Sequence, residues 1–189
     1  GSKLLIKNVN CNSTRIGFIK ILKKMNANIK IKNLKIKAGE PVGDIFVKSS
    51  LLKPISCSKE LVPSAIDEFP LLFIIASITE GISEFNGIEE LRYKESDRIK
   101  SVEVVLNKIG IKTKSTKNSL KIFGNPKVKI NKNLIVLPRN DHRIAMSFFC
   151  LGQLLGGSIK INNFETVNTS FNKFLSIMKK IGAKYEIKK

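Results

Sequence analysis

Between Asn86 and Ile111 the chain packs Arg92, Lys94, Glu95, Asp97 and Arg98 into seven residues, directly ahead of an amphipathic segment. Apolar side chains at Ile99, Val102, Val105, Leu106 and Ile109 recur at three- and four-residue spacing, and Gly110 follows. That spacing predicts a helix beginning at the charged cluster. A helix N-terminus presents unpaired backbone N–H groups and the positive end of the helix dipole, both of which favour an anion. Two arginines, a lysine and a carboxylate there can hold a phosphate or carboxylate group and carry a proton beside it. The same residues also suit an ordinary surface helix start, with charges paired along one face.

Four more clusters stand at helix starts: Thr14-Arg15, Asp67-Glu68, Asp141-His142-Arg143 and Thr169-Ser170. Taken alone, Asp67 reads as an N-cap, the common use of Asp before a helix. His142, the only histidine, reads alone as a hydrogen-bonding side chain. Arg143 opens a mostly apolar helix, and its planar fork suits bidentate recognition of carboxylate or phosphate. The shared position carries the argument. Helix starts gathered on one side of a domain bring several dipoles and cations to bear on one anionic ligand.

The elements that must position these groups read as strand, helix, strand, strand at the start of the chain. Strands are predicted over Lys3–Val9, Ile29–Ile36 and Gly43–Val47, with a helix from Arg15 to Met25 after the start signal Asn12-Ser13-Thr14. Pro70 suits the first turn of an apolar helix over Leu71–Thr79, and Ile82–Phe85 is a strand. A hairpin over Ile111–Lys114 and Leu120–Phe123 follows, then a strand or hairpin across Lys127–Val136. Asn140 and Asp141 are a capping pair for a helix reaching Leu155, and Ser158–Asn162 is a strand. Thr169 and Ser170 cap a last helix through Lys180, with Phe171, Phe174, Ile177, Met178 and Ile181 inward, and Ala183–Ile187 is a closing strand. The helix ends Leu22–Ala27, Leu106–Ile111 and Met178–Ala183 are similar, which points to a large repeating α/β unit.

The 189 residues suit one domain or two small ones, and Lys and Arg exceed Asp and Glu by a formal net charge of +19. Such a field attracts nucleic acid, acidic surfaces or small anions. Cys11, Cys57 and Cys150 show no CxxC spacing, so neither a disulfide framework nor a metal site is indicated. The longest apolar run, Pro70–Ile78, is too short to span a bilayer. Gly1-Ser2 reads as a cloning remnant, leaving residues 3–189 as a single lobe.

The run Asn86-Gly-Ile-Glu-Glu-Leu-Arg-Tyr-Lys-Glu-Ser-Asp-Arg98, followed by Asp141-His-Arg-Ile-Ala-Met146, resembles the signature pair of the 5-enolpyruvylshikimate-3-phosphate (EPSP) synthase family. Ser64–Pro70 and Thr169-Ser170-Phe171 are similar to further segments of that family in the expected order. The likeness extends over essentially the whole chain but only to the family's C-terminal half. Many members carry a Lys where this chain has Asn168 or Thr169, and a Pro where it has Asn172.

The resemblance implies an α/β fold with mixed sheets, an inside-out barrel lobe built from βαβαββ units as in enolpyruvyl transferases. It implies transfer of the carboxyvinyl group of phosphoenolpyruvate to the 5-hydroxyl of shikimate 3-phosphate with release of phosphate, a step of aromatic amino-acid biosynthesis and the target of glyphosate. Neither a cofactor nor a metal is implied. Asp67 resembles the carboxylate on the shikimate hydroxyls and Glu95 the acid that protonates the phosphoenolpyruvate methylene; these are the catalytic pair. Lys94, Arg98, Asp141, His142, Arg143 and Thr169 resemble substrate-binding residues, with Arg98 and Arg143 on the phosphoenolpyruvate carboxylate. The implied partners are the two anionic substrates and the absent N-terminal lobe, in a monomeric cytoplasmic enzyme with no membrane or nucleic-acid partner. A lone lobe is expected to be inactive. The alternative reading is a basic nucleic-acid-binding module of related fold, against which stand only two Tyr and no Trp.

Overall fold

The computed structural model describes residues 1–130 and 133–187. Three sheets follow one another along the chain. In the first, β1 (Lys3–Asn10) and β2 (Asn28–Lys37) flank β3 (Glu40–Lys48) with antiparallel pairing, and α1 (Gly17–Lys24) connects β1 to β2. Ala38 and Gly39 both take positive φ between paired Lys37 and Glu40, the requirement of a two-residue hairpin whose twist matches its strands. Strand β3 therefore starts before Gly43. Pro41 obscures that start in the sequence, because a residue without an N–H reads as a break, yet here it sits at the strand's second position.

The second sheet is a complete βαβαββ unit: β4 (Ser56–Cys57), α2 (Phe69–Ser77), β5 (Gly81–Asn86), α3 (Arg98–Lys108), β6 (Thr113–Ser115) and β7 (Ser119–Gly124). Its order is β4-β5-β7-β6, with only β4 and β5 parallel. In the third, β8 (Leu134–Val136) pairs in parallel with β9 (Ile159–Ile161) across α4 (His142–Leu155), and α5 (Asn168–Phe171) and α6 (Phe174–Lys180) follow.

Helix α2 touches both α3 and α4 and lies against β7. Phe69, Leu72, Phe73, Ile74 and Ala76 are wholly buried, so α2 shows no amphipathic stripe: it is apolar because it is surrounded. Phe69, Phe73 and Phe85 meet edge to face with centroids 5.1 to 5.9 Å apart, at the centre of the main core. Helices packed together within sheets are the inside-out arrangement expected. A second, smaller core gathers Phe149, Phe164, Phe174 and Tyr185 beside α4.

The repeat seen in the sequence is a repeated helix stop. The N–H groups of Ala27, Ile111 and Ala183 donate to the carbonyls of Leu22, Leu106 and Met178, and those of Asn26, Gly110 and Gly182 donate to Lys23, Asn107 and Lys179. Asn26, Gly110 and Gly182 all have positive φ. This is one Schellman cap used three times.

Several expectations need correction. Helix α1 begins at Gly17, because the Asn12 side chain accepts from the Thr14 N–H and hydroxyl and turns the chain before any helix forms. Of Lys127–Val136 only Leu134–Val136 is strand; Asn131 and Lys132 lie outside the described residues. The segment Ala183–Ile187 pairs with no strand among the described residues and is held by Gln153, whose amide bonds the Lys184 backbone at both groups, and by Tyr185 stacking on Phe149. Thr169 and Ser170 lie inside α5 rather than capping a helix, and the chain breaks between α5 and α6. Phe174 is buried as expected, while Phe171, Ile177 and Ile181 are 40% to 54% exposed.

Candidate active site

The starts of α2, α3 and α4 converge on one buried guanidinium. Arg98, the first residue of α3, is 1% exposed. Its three donor nitrogens each face a different carboxylate: Nε donates to Asp141 at 2.9 Å, Nη2 to Glu95 at 2.6 Å and Nη1 to Asp67 at 3.4 Å. Asp67 comes from the turn Ile66–Glu68 ahead of α2, Glu95 from the segment before α3, and Asp141 from the cap of α4. Charged side chains are almost never buried unless paired, and removing one partner of such a pair costs about 3–5 kcal/mol by leaving an uncompensated charge.

Asp67 also reaches the second arginine. Its carboxylate lies 3.1 Å from Nη2 of Arg143, whose Nη1 donates to the Asp67 backbone carbonyl at 3.3 Å. Glu68 stands 3.8 Å from the same guanidinium. Burial pushes the Glu68 carboxyl above its ordinary pKa; the Arg143 charge opposes that rise and the Asp67 charge adds to it. Arg15 lowers it slightly, which brings a fourth helix start to the same side.

Asp141 is fully buried. One of its oxygens caps α4, accepting from the N–H groups of Arg143 and Ile144, and the other accepts from Ser96 Oγ and Arg98 Nε. Just ahead of it Arg139 and Asn140 both have positive φ, and the Asn140 carbonyl accepts from the Thr166 hydroxyl at 2.9 Å. This ties the fifth helix start to α4. A cavity of about 510 Å³ opens there, lined by Glu95, His142, Asn163, Glu165, Thr166 and Thr169 among others.

The structure thus brings Asp67, Glu95, Arg98, Asp141 and Arg143 into one network, and sets His142 and Thr169 with Glu95 on the adjoining cavity. Lys94 instead pairs with Glu90. The Thr169 hydroxyl donates to the Thr166 carbonyl. Arg92, conspicuous in the sequence, serves the scaffold: it binds Asp97 at 2.8 Å and the carbonyls of Thr116 and Lys117 at 2.5 and 2.9 Å. Ser96 and Glu68 are the residues that the sequence reading passed over. Ser96 had a signal, since it lies inside the charged run between Glu95 and Asp97, but a hydroxyl there is indistinguishable from a solvent-facing one until its partner is known.

Chemically, two arginines flanked by carboxylates can hold a small carboxylate or phosphate and pass protons at its edge. Helices enclosed by βαβαββ sheets with this network at their starts define an enolpyruvyl-transferase lobe. The comparisons narrow it. A profile of EPSP synthase (3-phosphoshikimate 1-carboxyvinyltransferase) matches residues 1–178, and the chain belongs to that family. It is 45% identical over 180 residues to the 3-phosphoshikimate 1-carboxyvinyltransferase of Petrotoga mobilis, covering 95% of this chain and 41% of the relative. The enzyme of that name from Clostridium tetani is 43% identical over 177 residues, covering 94% and 40%. The EPSP synthase structure from Acinetobacter baumannii superposes with a TM-score of 0.94 at 40% identity, covering all of this chain and 44% of that one. The enolpyruvyl transferase NikO of Streptomyces tendae, at 13% identity and TM-score 0.65, shares the fold. The chain spans about two fifths of the length of the curated relatives it matches.

Proposed function

We propose that this chain is the C-terminal lobe of a monomeric, cytoplasmic 3-phosphoshikimate 1-carboxyvinyltransferase and forms one wall of its active site. Asp67 takes the proton of the 5-hydroxyl of shikimate 3-phosphate as its oxygen bonds to C2 of phosphoenolpyruvate. Glu95 delivers a proton to the methylene C3, giving a tetrahedral intermediate. A proton then leaves C3, the C2–O bond to phosphate breaks, and the vinyl ether and inorganic phosphate are released. Arg98 and Arg143 hold the phosphoenolpyruvate carboxylate, and fixed cations of this kind stabilise charge without reorganising during the reaction. Lys94, His142 and Thr169 contact the substrates from the rim, Lys94 after leaving Glu90.

The observation that carries this reading is the pairing of Asp67 and Glu95 across the Arg98 guanidinium, with Arg143 beside them. It places two proton-transfer groups next to a site for a carboxylate. The absence of any disulfide among the three free thiols suits a reducing compartment.

The test is phosphate release from phosphoenolpyruvate and shikimate 3-phosphate by this chain combined with the N-terminal portion its relatives carry, beside Glu95→Gln. Release that needs both parts and falls at least a hundredfold with Glu95→Gln is expected. No release from a mixture shown to associate overturns the reading.

A further inference from the structure

Arg98 and Arg143 approach the candidate carboxylate site from two different helices, and one buried group governs both. The carboxylate of Asp141 divides its work. Through one oxygen it accepts the backbone N–H of Arg143 at 3.0 Å and of Ile144 at 3.3 Å, which fixes the first turn of α4. Through the other it accepts Nε of Arg98 at 2.9 Å and the hydroxyl of Ser96 at 3.0 Å. At 0% exposure it offers no face to a ligand, so substrate contact is not how it acts.

The geometry of the guanidinium gives the contact its consequence. Arg presents its donors in a rigid plane, so committing Nε to one partner orients both Nη groups. With Nε turned to Asp141, Nη1 and Nη2 face Asp67 and Glu95. We propose that Asp141, held in place by Ser96, is the positioning residue for the substrate-binding arginines, fixing which edge of Arg98 faces the substrate and where α4 delivers Arg143. This rests on the enolpyruvyl-transfer reading for its catalytic consequence, while the orientation of Arg98 is a property of the chain itself.

Asp141→Asn is the informative substitution. Asn caps helices as well as Asp does, so the bonds to Arg143 and Ile144 are retained. Toward Arg98 and Ser96, however, the amide either loses the charge or presents a donor to a donor. Ser96→Ala removes only the hydroxyl, and Ser96→Thr restores it.

Two readouts separate the proposal from a purely structural role. In ¹⁵N NMR of this 189-residue chain, the Arg98 Nε–H signal is expected to be shifted downfield and protected from exchange. It should lose that protection in Asp141→Asn, lose part of it in Ser96→Ala, and regain it in Ser96→Thr. In the chain completed with its N-terminal portion, Asp141→Asn is expected to raise KM for phosphoenolpyruvate at least tenfold and to leave KM for shikimate 3-phosphate within twofold. An unchanged Arg98 signal in Asp141→Asn overturns the proposal. So does a fall in thermal midpoint accompanied by equal changes in both KM values, since that is cap loss alone. If the completed wild-type protein shows no turnover, the functional reading fails, and the Arg98 signal still decides whether Asp141 and Ser96 set its orientation.

Discussion

Asp67 holds Arg143 twice, through its carboxylate at 3.1 Å and through its own backbone carbonyl at 3.3 Å. An acidic side chain thus occupies the arginine edge that an anionic ligand needs. The net charge of +19 does not extend to this spot, where Asp67, Glu68, Glu95 and Asp141 outnumber Arg98 and Arg143. Ligand binding here is an exchange of one carboxylate for another. We predict that Asp67→Asn raises the affinity of the chain for phosphoenolpyruvate several-fold, the removal of a half-exposed competing charge being worth about 1 kcal/mol. In the completed enzyme the same substitution lowers turnover by about 10²-fold or more, through loss of the base. Calorimetry and steady-state rates measure the two effects; weaker anion binding in Asp67→Asn would show that Asp67 does not compete.

Glu68 supplies a pH dependence. Its folded pKa is raised by burial, so its contribution to stability is fully present below the ordinary carboxylate value and is lost as pH rises through the raised one. Its ionised form also places a negative charge 3.8 Å from Arg143. Sulfate, which does not titrate in this range, is therefore predicted to bind more tightly as pH falls from neutral through the raised Glu68 value. Glu68→Gln should flatten that profile above the ordinary carboxylate range. A profile identical in wild type and Glu68→Gln would assign the dependence elsewhere.

The site was legible in the sequence because its residues are local. Asp67, Glu95, Arg98 and Arg143 all sit at helix starts marked by caps and by the three-four spacing behind them, and capping is short-range physics. What was not legible is who pairs with whom: Asp141 facing inward to Arg98, and Arg92 spent on Thr116 and Lys117, are contacts between distant segments that no spacing encodes. The closing strand failed for a related reason. Ala183–Ile187 alternates as a strand should, but a strand exists only with a partner, and this segment has side-chain contacts instead. Thr169 and Ser170 misled because a hydroxyl pair ahead of apolar residues signals a cap whether or not the turn before it is already helical.

Arg92 tests the scaffold without touching the proposed substrates. It ties the charged turn, through Asp97 and two carbonyls, to the loop between β6 and β7. Three partners lose their donor in Arg92→Ala. The expected cost is about 2 kcal/mol, lowering Tm by about 6 °C, and thermal unfolding followed by circular dichroism measures it. Arg92→Lys should recover only a part, since an ammonium cannot span three divergent acceptors. Full recovery by Lys would mean that charge rather than geometry holds the turn.

Gly17 makes a prediction whose sign is diagnostic. In a helix, Gly→Ala ordinarily stabilises by about 0.5–1 kcal/mol, and Gly17 is the first residue of α1. Here its N–H donates to the Ser64 carbonyl at 3.1 Å, and a Cβ at this position would lie 2.6 Å from the backbone C and O of Ser64. Backbone, unlike a flexible side chain, cannot turn away, so the segment leading to Asp67 must shift. Gly17→Ala is therefore expected to destabilise by about 1–3 kcal/mol and to weaken anion binding together with it, because Ser64 and Asp67 belong to one turn. Ser64→Gly in the same chain should restore little, since the obstructing atoms are main chain. A stabilised Gly17→Ala protein would show that α1 does not press on the turn that carries Asp67.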